Sequence, residues 1–324
     1  MRKIIRIGTR ESQLAVWQAT LVQDLLAKNN IESELVYIKS EGDIDLQTPL
    51  YEMGVQGVFT KTLDIALLSN KIDIAVHSMK DVPTQLATGI AQAAVLARAS
   101  YKDIFVYKGD RNFINMQLSI TNNDIALAEN STIANSPFTI GTSSIRRKAQ
   151  WLNRYPGHRI ENLRGNVNTR LRKVQDNNWD GAIFAAAGLE RIHLRPQNSI
   201  DLDWMLPAPA QGAIMVVCRE DDEFTRKACA PLNDSDTAVC TRLERDFLRA
   251  LLGGCSTPIS ALAAIRSGKI HFRGNILSVD GTEKVEIEKM IEREEAETFG
   301  NIAATEILNN GAQSIADTIR NGGK

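Results

Sequence analysis

A chain of 324 residues, 43% hydrophobic and 24% charged, is long enough for two or three domains, each with its own core. A formal net charge of −1 excludes recognition of nucleic acid or a membrane surface by bulk charge, so any anion site must be a local concentration of Arg and Lys. Four cysteines without CxxC spacing (Cys218, Cys229, Cys240 and Cys255) suit neither a metal site nor a disulfide scaffold and predict a reducing, cytoplasmic setting.

Ile4 to Ile7 reads as a short first strand, not the apolar core of a secretory leader, and no apolar run approaches the roughly 20 residues that span a bilayer. Gly8-Thr9-Arg10-Glu11-Ser12 leads into a helix from about Ser12 to Lys28, with Leu14, Trp17, Leu21 and Leu25 on one face. Arg10 and Ser12 thus stand at a helix N-terminus, where unpaired N–H groups favour an anion, and Ser12 serves equally well as a plain N-cap. Leu35 to Ile38 is a second strand. Ser40 to Phe59, with Gly42, Gly54, Gly57 and Asp43, has little periodicity and the make-up of a lid. A helix over Thr60–Ser69 packs Leu63, Ala66 and Leu67 inward. Ile72, Ile74 and Val76 then alternate as a strand that gives way to His77-Ser78-Met79-Lys80-Asp81 before Pro83. Polar residues at the carboxyl end of such a strand sit where ligands bind, and Lys80 beside Asp81 offers one charge of each sign.

Ile90–Leu96 and Asp103–Tyr107 are further strands, and Lys108–Pro137 reads as an irregular connection. Phe138 to Ile140 enters the turn Gly141-Thr142-Ser143-Ser144 and a helix carrying Arg146 and Arg147 in its first turns. Glu161 to Arg170 again runs from strand end to helix start, with Arg164, Gly165 and Arg170. Gly181–Ala187, small and apolar, predicts a buried parallel strand followed by Arg191. Five arginines at or just beyond strand ends can be a solvated basic face. A nucleic-acid surface would interleave more stacking aromatics than the nearby Trp151 and Tyr155. Convergence of the arginines instead suits a small ligand with several carboxylates, each gripped by a bidentate fork.

Met205–Ile214, with two prolines, reads as a linker, and Ala213–Cys218 as a strand returning to the first sheet. A helix from about Asp236 to Leu252 stops at Gly253-Gly254 and leaves Cys255 on an open loop. Strands over Ile259–Ala264, Ile270–Leu277 and Val285–Ile287, with helices over Glu294–Leu308 and Ala312–Ile319, predict a small closing α/β domain.

Thr9-Arg10-Glu11-Ser12-Gln13-Leu14-Ala15, Ala75-Val76-His77-Ser78-Met79-Lys80-Asp81-Val82-Pro83, Gly141-Thr142-Ser143-Ser144-Ile145-Arg146-Arg147, Leu163-Arg164-Gly165-Asn166-Val167 and Gly253-Gly254-Cys255 occur in one order. That order is the one found in the porphobilinogen deaminases, also called hydroxymethylbilane synthases, and from Ile4 to Ile259 the chain resembles that family. The resemblance implies an α/β protein of three domains: residues 1–100 plus 205–222, 101–204, and 223–324. The first two would resemble the lobes of type II periplasmic binding proteins around a cleft, and the third would carry the cofactor cysteine. It also implies a transferase of tetrapyrrole synthesis that joins four porphobilinogen units head to tail with loss of ammonia, water finally releasing linear hydroxymethylbilane. Growth would begin on a dipyrromethane cofactor attached by a thioether, for which Cys255 is the matching thiol.

Asp81 matches the family's catalytic aspartate, placed to accept from pyrrole N–H groups, stabilise the azafulvene-type cation left by ammonia, and assist proton transfer. Arg10, Ser12, Ser78, Lys80, Thr142, Ser143, Ser144, Arg146, Arg147, Arg164, Gly165, Arg170 and Arg191 match the region that binds the acetates and propionates of the pyrrole chain. Asp43, Gln56 and Phe59 match the lid and ring contacts. No metal, nucleic acid or membrane partner is expected, and a monomer is. Gln56 and Glu52 stand where family members carry lysines, which should weaken carboxylate binding near the lid, and Ala210 replaces the first glycine of a GQG turn at the hinge. A solute-binding module with the same cleft but no chemistry is the rival reading, and it leaves Cys255 without a purpose.

Overall fold

The computed structural model describes residues 4–39, 60–112, 114, 118, 137–251 and 257–321. Asp43, Glu52, Gln56, Phe59 and Cys255 lie outside the described residues, as does most of the connection expected over Lys108–Pro137. In chain order the strands are β1 (Ile5–Thr9), β2 (Ser33–Tyr37), β3 (Ile74–Ser78), β4 (Ile90–Val95), β5 (Asp103–Tyr107), β6 (Thr139–Gly141) and β7 (Arg159–Glu161). They continue with β8 (Gly181–Ala185), β9 (Ser199–Asp201), β10 (Ile214–Arg219), β11 (Ile259–Arg266), β12 (Lys269–Leu277) and β13 (Lys284–Ile291). The helices used below are α1 (Gln13–Lys28), α2 (Lys61–Leu68), α3 (Ile145–Arg154), α4 (Val167–Asp176), α5 (Ala186–Glu190), α6 (Glu223–Cys229), α7 (Ser235–Ala250), α8 (Ala296–Ile307) and α9 (Gln313–Asn321).

Two five-stranded sheets share one design. The first runs β2-β1-β3-β10-β4 and the second β7-β6-β8-β5-β9. In each, three parallel strands are followed by an antiparallel strand that arrives from the other lobe: β10 beside β3 in the first, β5 beside β8 in the second. Strand alternation splits each sheet into two buried faces. On β3, Ile74 and Val76 join the core under α1 with Val22 and Leu26, while Ala75 faces Leu63 and Leu67 of α2. On β5, Phe105 and Tyr107 meet Trp151 of α3, while Ile104 and Val106 meet Val174 of α4. The third sheet, β11-β12-β13, is antiparallel and packs Ile270, Phe272 and Ile276 against Leu243 and Phe247 of α7 and Phe299 of α8.

Some elements differ from the sequence reading. The strand expected from Ile72 pairs from Ile74 onward and continues through His77 and Ser78, which face Met215 and Ile214 across the ladder. The polar residues His77 and Ser78 are therefore strand, and only Met79–Asp81 forms the turn beyond it. The strand expected over Gly181–Ala187 ends at Ala185, and Ala186 begins α5. That strand is parallel to β6 on one side and antiparallel to β5 on the other. Three-residue β9 and seven-residue α6 are too short to leave a period in the sequence.

The two crossings between lobes lie against each other. Ala99 donates to the Gly212 carbonyl at 3.1 Å, and Leu96 to that of Ile214 at 3.0 Å. Gly212 has φ +90, and a Cβ there would stand 2.7 Å from the carbonyl oxygens of Ala99 and Ser100, so the close approach requires glycine. Ala210 also lies in the left-handed region at φ 62, where an L side chain is strained.

Candidate active site

A cleft opens at the carboxyl ends of the parallel strands. The first lobe contributes Arg10 and Ser12 from the β1–α1 junction, and Ser78, Lys80 and Asp81 from the end of β3. The second contributes Arg147 from α3, Arg164 and Gly165 just before α4, Arg170 on α4, and Arg191 after α5. Gln211 and Gly212 of the return crossing form its floor.

Local chemistry explains several of these placements. Ser12 caps α1, its Oγ accepting from Ala15 N at 3.4 Å, and also lines the cleft. Ser78 Oγ accepts from Gln18 Nε2 at 2.9 Å. Arg170 donates through Nε to the Gly165 carbonyl at 2.7 Å, and Gly165 turns with φ +113 to reach the start of α4. Arg191 donates to the Gly212 carbonyl at 2.6 Å and stacks 5.8 Å over the Trp17 ring, so one arginine of the second lobe touches both α1 and the crossing. Gln13 of α1 and Asn168 of α4 complete the contact between lobes at 3.0 Å.

Four expected ligand residues make hydrogen bonds within the fold. Arg146 is buried away from the cleft lining, donating to Asp103 at 2.8 Å and to the Leu206 carbonyl at 2.6 Å. Thr142 Oγ1 accepts from Ser144 N, Ser144 Oγ accepts from Arg147 N, and the Ser143 hydroxyl bonds Asn162. In the structure the side chains of all three serve the β6–α3 turn and the N-terminus of α3.

The residue that organises this corner is Asp103, the first residue of β5 and fully buried. It accepts from Arg146, from Arg147 through Nε at 3.1 Å and Nη2 at 2.7 Å, and from Gln211 Nε2 at 2.9 Å. Burial alone would raise its carboxyl, but Arg146 and Arg147, ahead of Lys80, outweigh that and hold it well below the usual carboxylate range. Gln211 also accepts from Lys80 Nζ at 3.4 Å, joining the first lobe's cation to the second lobe's carboxylate. The sequence offered one signal for Asp103, a carboxylate heading an otherwise apolar strand, and none for its partners.

Burial acts on the cations that face the cleft. It lowers Lys80 to about 8 despite the opposing pull of Asp81. Arg170 falls to about 10 through burial and then the repulsion of Arg147, and Arg191 to about 10 through burial. His77 is lowered to about 4 by burial and then by Arg10, and is therefore neutral at pH 7, with its buried Nε2 lacking a hydrogen-bond partner. Cations whose charged form is penalised in this way are stabilised by bound anions.

A family model described as "Porphobilinogen deaminase, dipyromethane cofactor binding domain" matches residues 5–227, and a second, "Porphobilinogen deaminase, C-terminal domain", matches residues 238–309. The chain belongs to the porphobilinogen deaminase family. It is an enzyme of that family, a hydroxymethylbilane synthase, and residues 5–227 are its dipyrromethane-binding domain. Distant likenesses to solved structures are also found. The BvgS periplasmic domain of B. pertussis is 10% identical over 70% of this chain, which spans 39% of that one, with a TM-score of 0.39. A Streptococcus mutans structure from glutathione import via GshT and the cystine importer TcyBC is 13% identical over 71% of this chain and 87% of that one, at 0.40. The probable amino-acid ABC transporter extracellular-binding protein ytmK of Bacillus subtilis is 10% identical over 72% and 90%, at 0.39. No function passes through likenesses this faint.

The cleft of this deaminase suits a dipyrromethane by its charge. Among the described lining residues six cations, Arg10, Lys80, Arg147, Arg164, Arg170 and Arg191, stand beside a single carboxylate, Asp81, with Arg147 also paired to the buried Asp103 behind the lining. That excess fits a group bearing several carboxylates and rejects a cationic one. Among the described residues no three His, Cys, Asp or Glu side chains gather as metal ligands, and no helix is long and apolar enough to cross a membrane.

Proposed function

We propose that the cleft joins four porphobilinogen units head to tail with release of ammonia at each step, water finally cleaving the chain from the cofactor as linear hydroxymethylbilane. The observation that carries this reading is the six-to-one excess of cations around an exposed Asp81. Arg10, Lys80, Arg147, Arg164, Arg170 and Arg191 would hold the acetates and propionates of cofactor and substrate through charge-assisted hydrogen bonds. Bound through a thioether to Cys255, the dipyrromethane would supply the pyrrole carbon from which the chain grows. Asp81 accepts from the pyrrole N–H of the arriving substrate and offsets the cation that forms as ammonia leaves. Its carboxylate then assists removal of the proton from the pyrrole α-carbon that has formed the new carbon–carbon bond, restoring that ring's aromaticity. Lys80, beside it, holds a carboxylate and does not move a proton in this scheme.

The division into residues 1–100 plus 205–222, 101–204 and 223–324 follows from the same reading, the third part delivering Cys255 to the cleft. A monomer is expected from the family resemblance, and sparse cysteines with buried Cys218, Cys229 and Cys240 support a cytoplasmic setting. Incubating the purified protein with porphobilinogen tests the reaction: ammonia and hydroxymethylbilane appear together, and Asp81→Asn lowers kcat by about 10²-fold or more. Binding of porphobilinogen without ammonia release contradicts the proposal and favours the solute-binding module.

A further inference from the structure

Asp81 sits on a turn that the third domain grips. The turn is one residue triplet, Met79–Asp81, between the end of β3 and Pro83. The first lobe holds its backbone through Met79 N, which donates to the Ala213 carbonyl at 3.0 Å, and buries the Met79 and Val82 side chains in its core; the turn closes on itself through Val82 N to Met79 O at 3.1 Å. The carbonyls of Met79 at its start and of Val82 and Pro83 just after it point toward α7, where Arg245 lies buried. Arg245 Nη1 donates to Val82 O at 2.9 Å and to Met79 O at 3.3 Å, and Nη2 to Pro83 O at 2.5 Å. Three carbonyls bracketing Asp81 are therefore fixed by one planar fork.

We infer that Arg245 is a positioning residue for Asp81, setting the carboxylate's place in the cleft from the third domain. This rests on the reading of Asp81 as the group that does the chemistry. A guanidinium suits the task because its donors are rigidly spaced, whereas an ammonium is a point charge on a flexible stem. The preceding residue has a separate task. Glu244, fully buried, accepts from Arg98 at 2.5 and 3.1 Å, from Ala210 N at 2.6 Å and from Ala263 N at 2.8 Å. Glu244 thus docks α7 to the lobe crossings and to β11 without touching the turn. One step along the helix, docking becomes aiming. The contacts of Glu244 and of Leu243 and Phe247 in the core do not involve Arg245, so its loss is expected to release the turn while the helix stays docked.

The test compares Arg245→Met, Arg245→Lys and Glu244→Gln with wild type, each checked for bound dipyrromethane by intact mass. Arg245→Met is expected to lower kcat by about tenfold or more with KM for porphobilinogen changed less than about threefold, and Arg245→Lys to fall between it and wild type. Glu244→Gln is expected to lower the thermal midpoint while keeping a larger share of kcat at permissive temperature. Wild-type kcat in Arg245→Met overturns the inference. So does an equal loss of kcat in Glu244→Gln, since Arg245 would then act through docking alone. Should Arg245→Met fail to fold, Arg245→Lys decides, and wild-type kcat there overturns the inference. A loaded wild type that releases no ammonia removes the catalytic reading itself, a result distinct from an active wild type with an equally active Arg245→Met.

Discussion

Asp103→Asn is the sharpest perturbation of the cleft's foundation. The substitution keeps the side chain's shape, so no cavity opens, but it removes the one negative charge that Arg146 and Arg147 share through three hydrogen bonds of 2.7–3.1 Å. It also turns an amide N–H toward donors. Both arginines are only 5% exposed and cannot recover hydration. Removing one partner of such a buried group costs about 3–5 kcal/mol, because the opposite charge is left uncompensated. The pH dependence follows from the depressed Asp103 carboxyl. Its stabilisation is complete above the ordinary carboxylate range near ~4 and is lost as pH falls through the lower folded value. Urea unfolding followed by tryptophan fluorescence, Trp151 being buried in that core, should show a difference that is constant from pH 5 to pH 8 and narrows only in stronger acid. A difference below about 1 kcal/mol at pH 7 would refute the reasoning, as would a gap that closes on the alkaline side.

Lys80, lowered to about 8 by burial, loses its charge as pH rises through 8 rather than 10.5. Loading of the cofactor-free protein by porphobilinogen is therefore expected to slow above pH 8, and Lys80→Arg to remove that alkaline limb; an identical limb in the variant would contradict this. Ala210→Gly relieves a positive φ at the hinge and is expected to gain about 0.5–1 kcal/mol in urea unfolding, so a loss would show that the strain is absent. Gly212→Ala forces a Cβ to 2.7 Å from two backbone carbonyls in a positive-φ position and is expected to cost about 2–5 kcal/mol, measured by the same unfolding experiment.

The sequence showed what is local. Strand, turn and helix at Ile5–Lys28 and again at Thr139–Arg154 were legible because apolar period and cap residues agree. The return of β10 was legible from Ala213 onward. Arg147, Arg164, Arg170 and Arg191 were legible as a converging set because each follows a strand end. Partners distant in the chain were not. Asp103 lies 43 and 44 residues from its arginines, and Glu244 lies 146 residues from Arg98, distances at which no periodicity operates. Thr142, Ser143 and Ser144 stand as turn and cap residues in the structure, roles that ask for the same residue types as anion binding, so the sequence alone does not separate the two. Gly181–Ala187 shows the same ambiguity between strand and helix, since small apolar residues fit a buried position in either.

In the proposed reaction the cleft carries a dipyrromethane, thioether-linked through Cys255, on which porphobilinogen is assembled. Intact mass of the purified protein, beside Cys255→Ser, tests it most directly. An excess of two linked pyrrole units is expected on the wild type, present as purified or after incubation with porphobilinogen, and none on the variant. An unmodified wild type that stays unmodified after that incubation, or an excess that survives in Cys255→Ser, would contradict it.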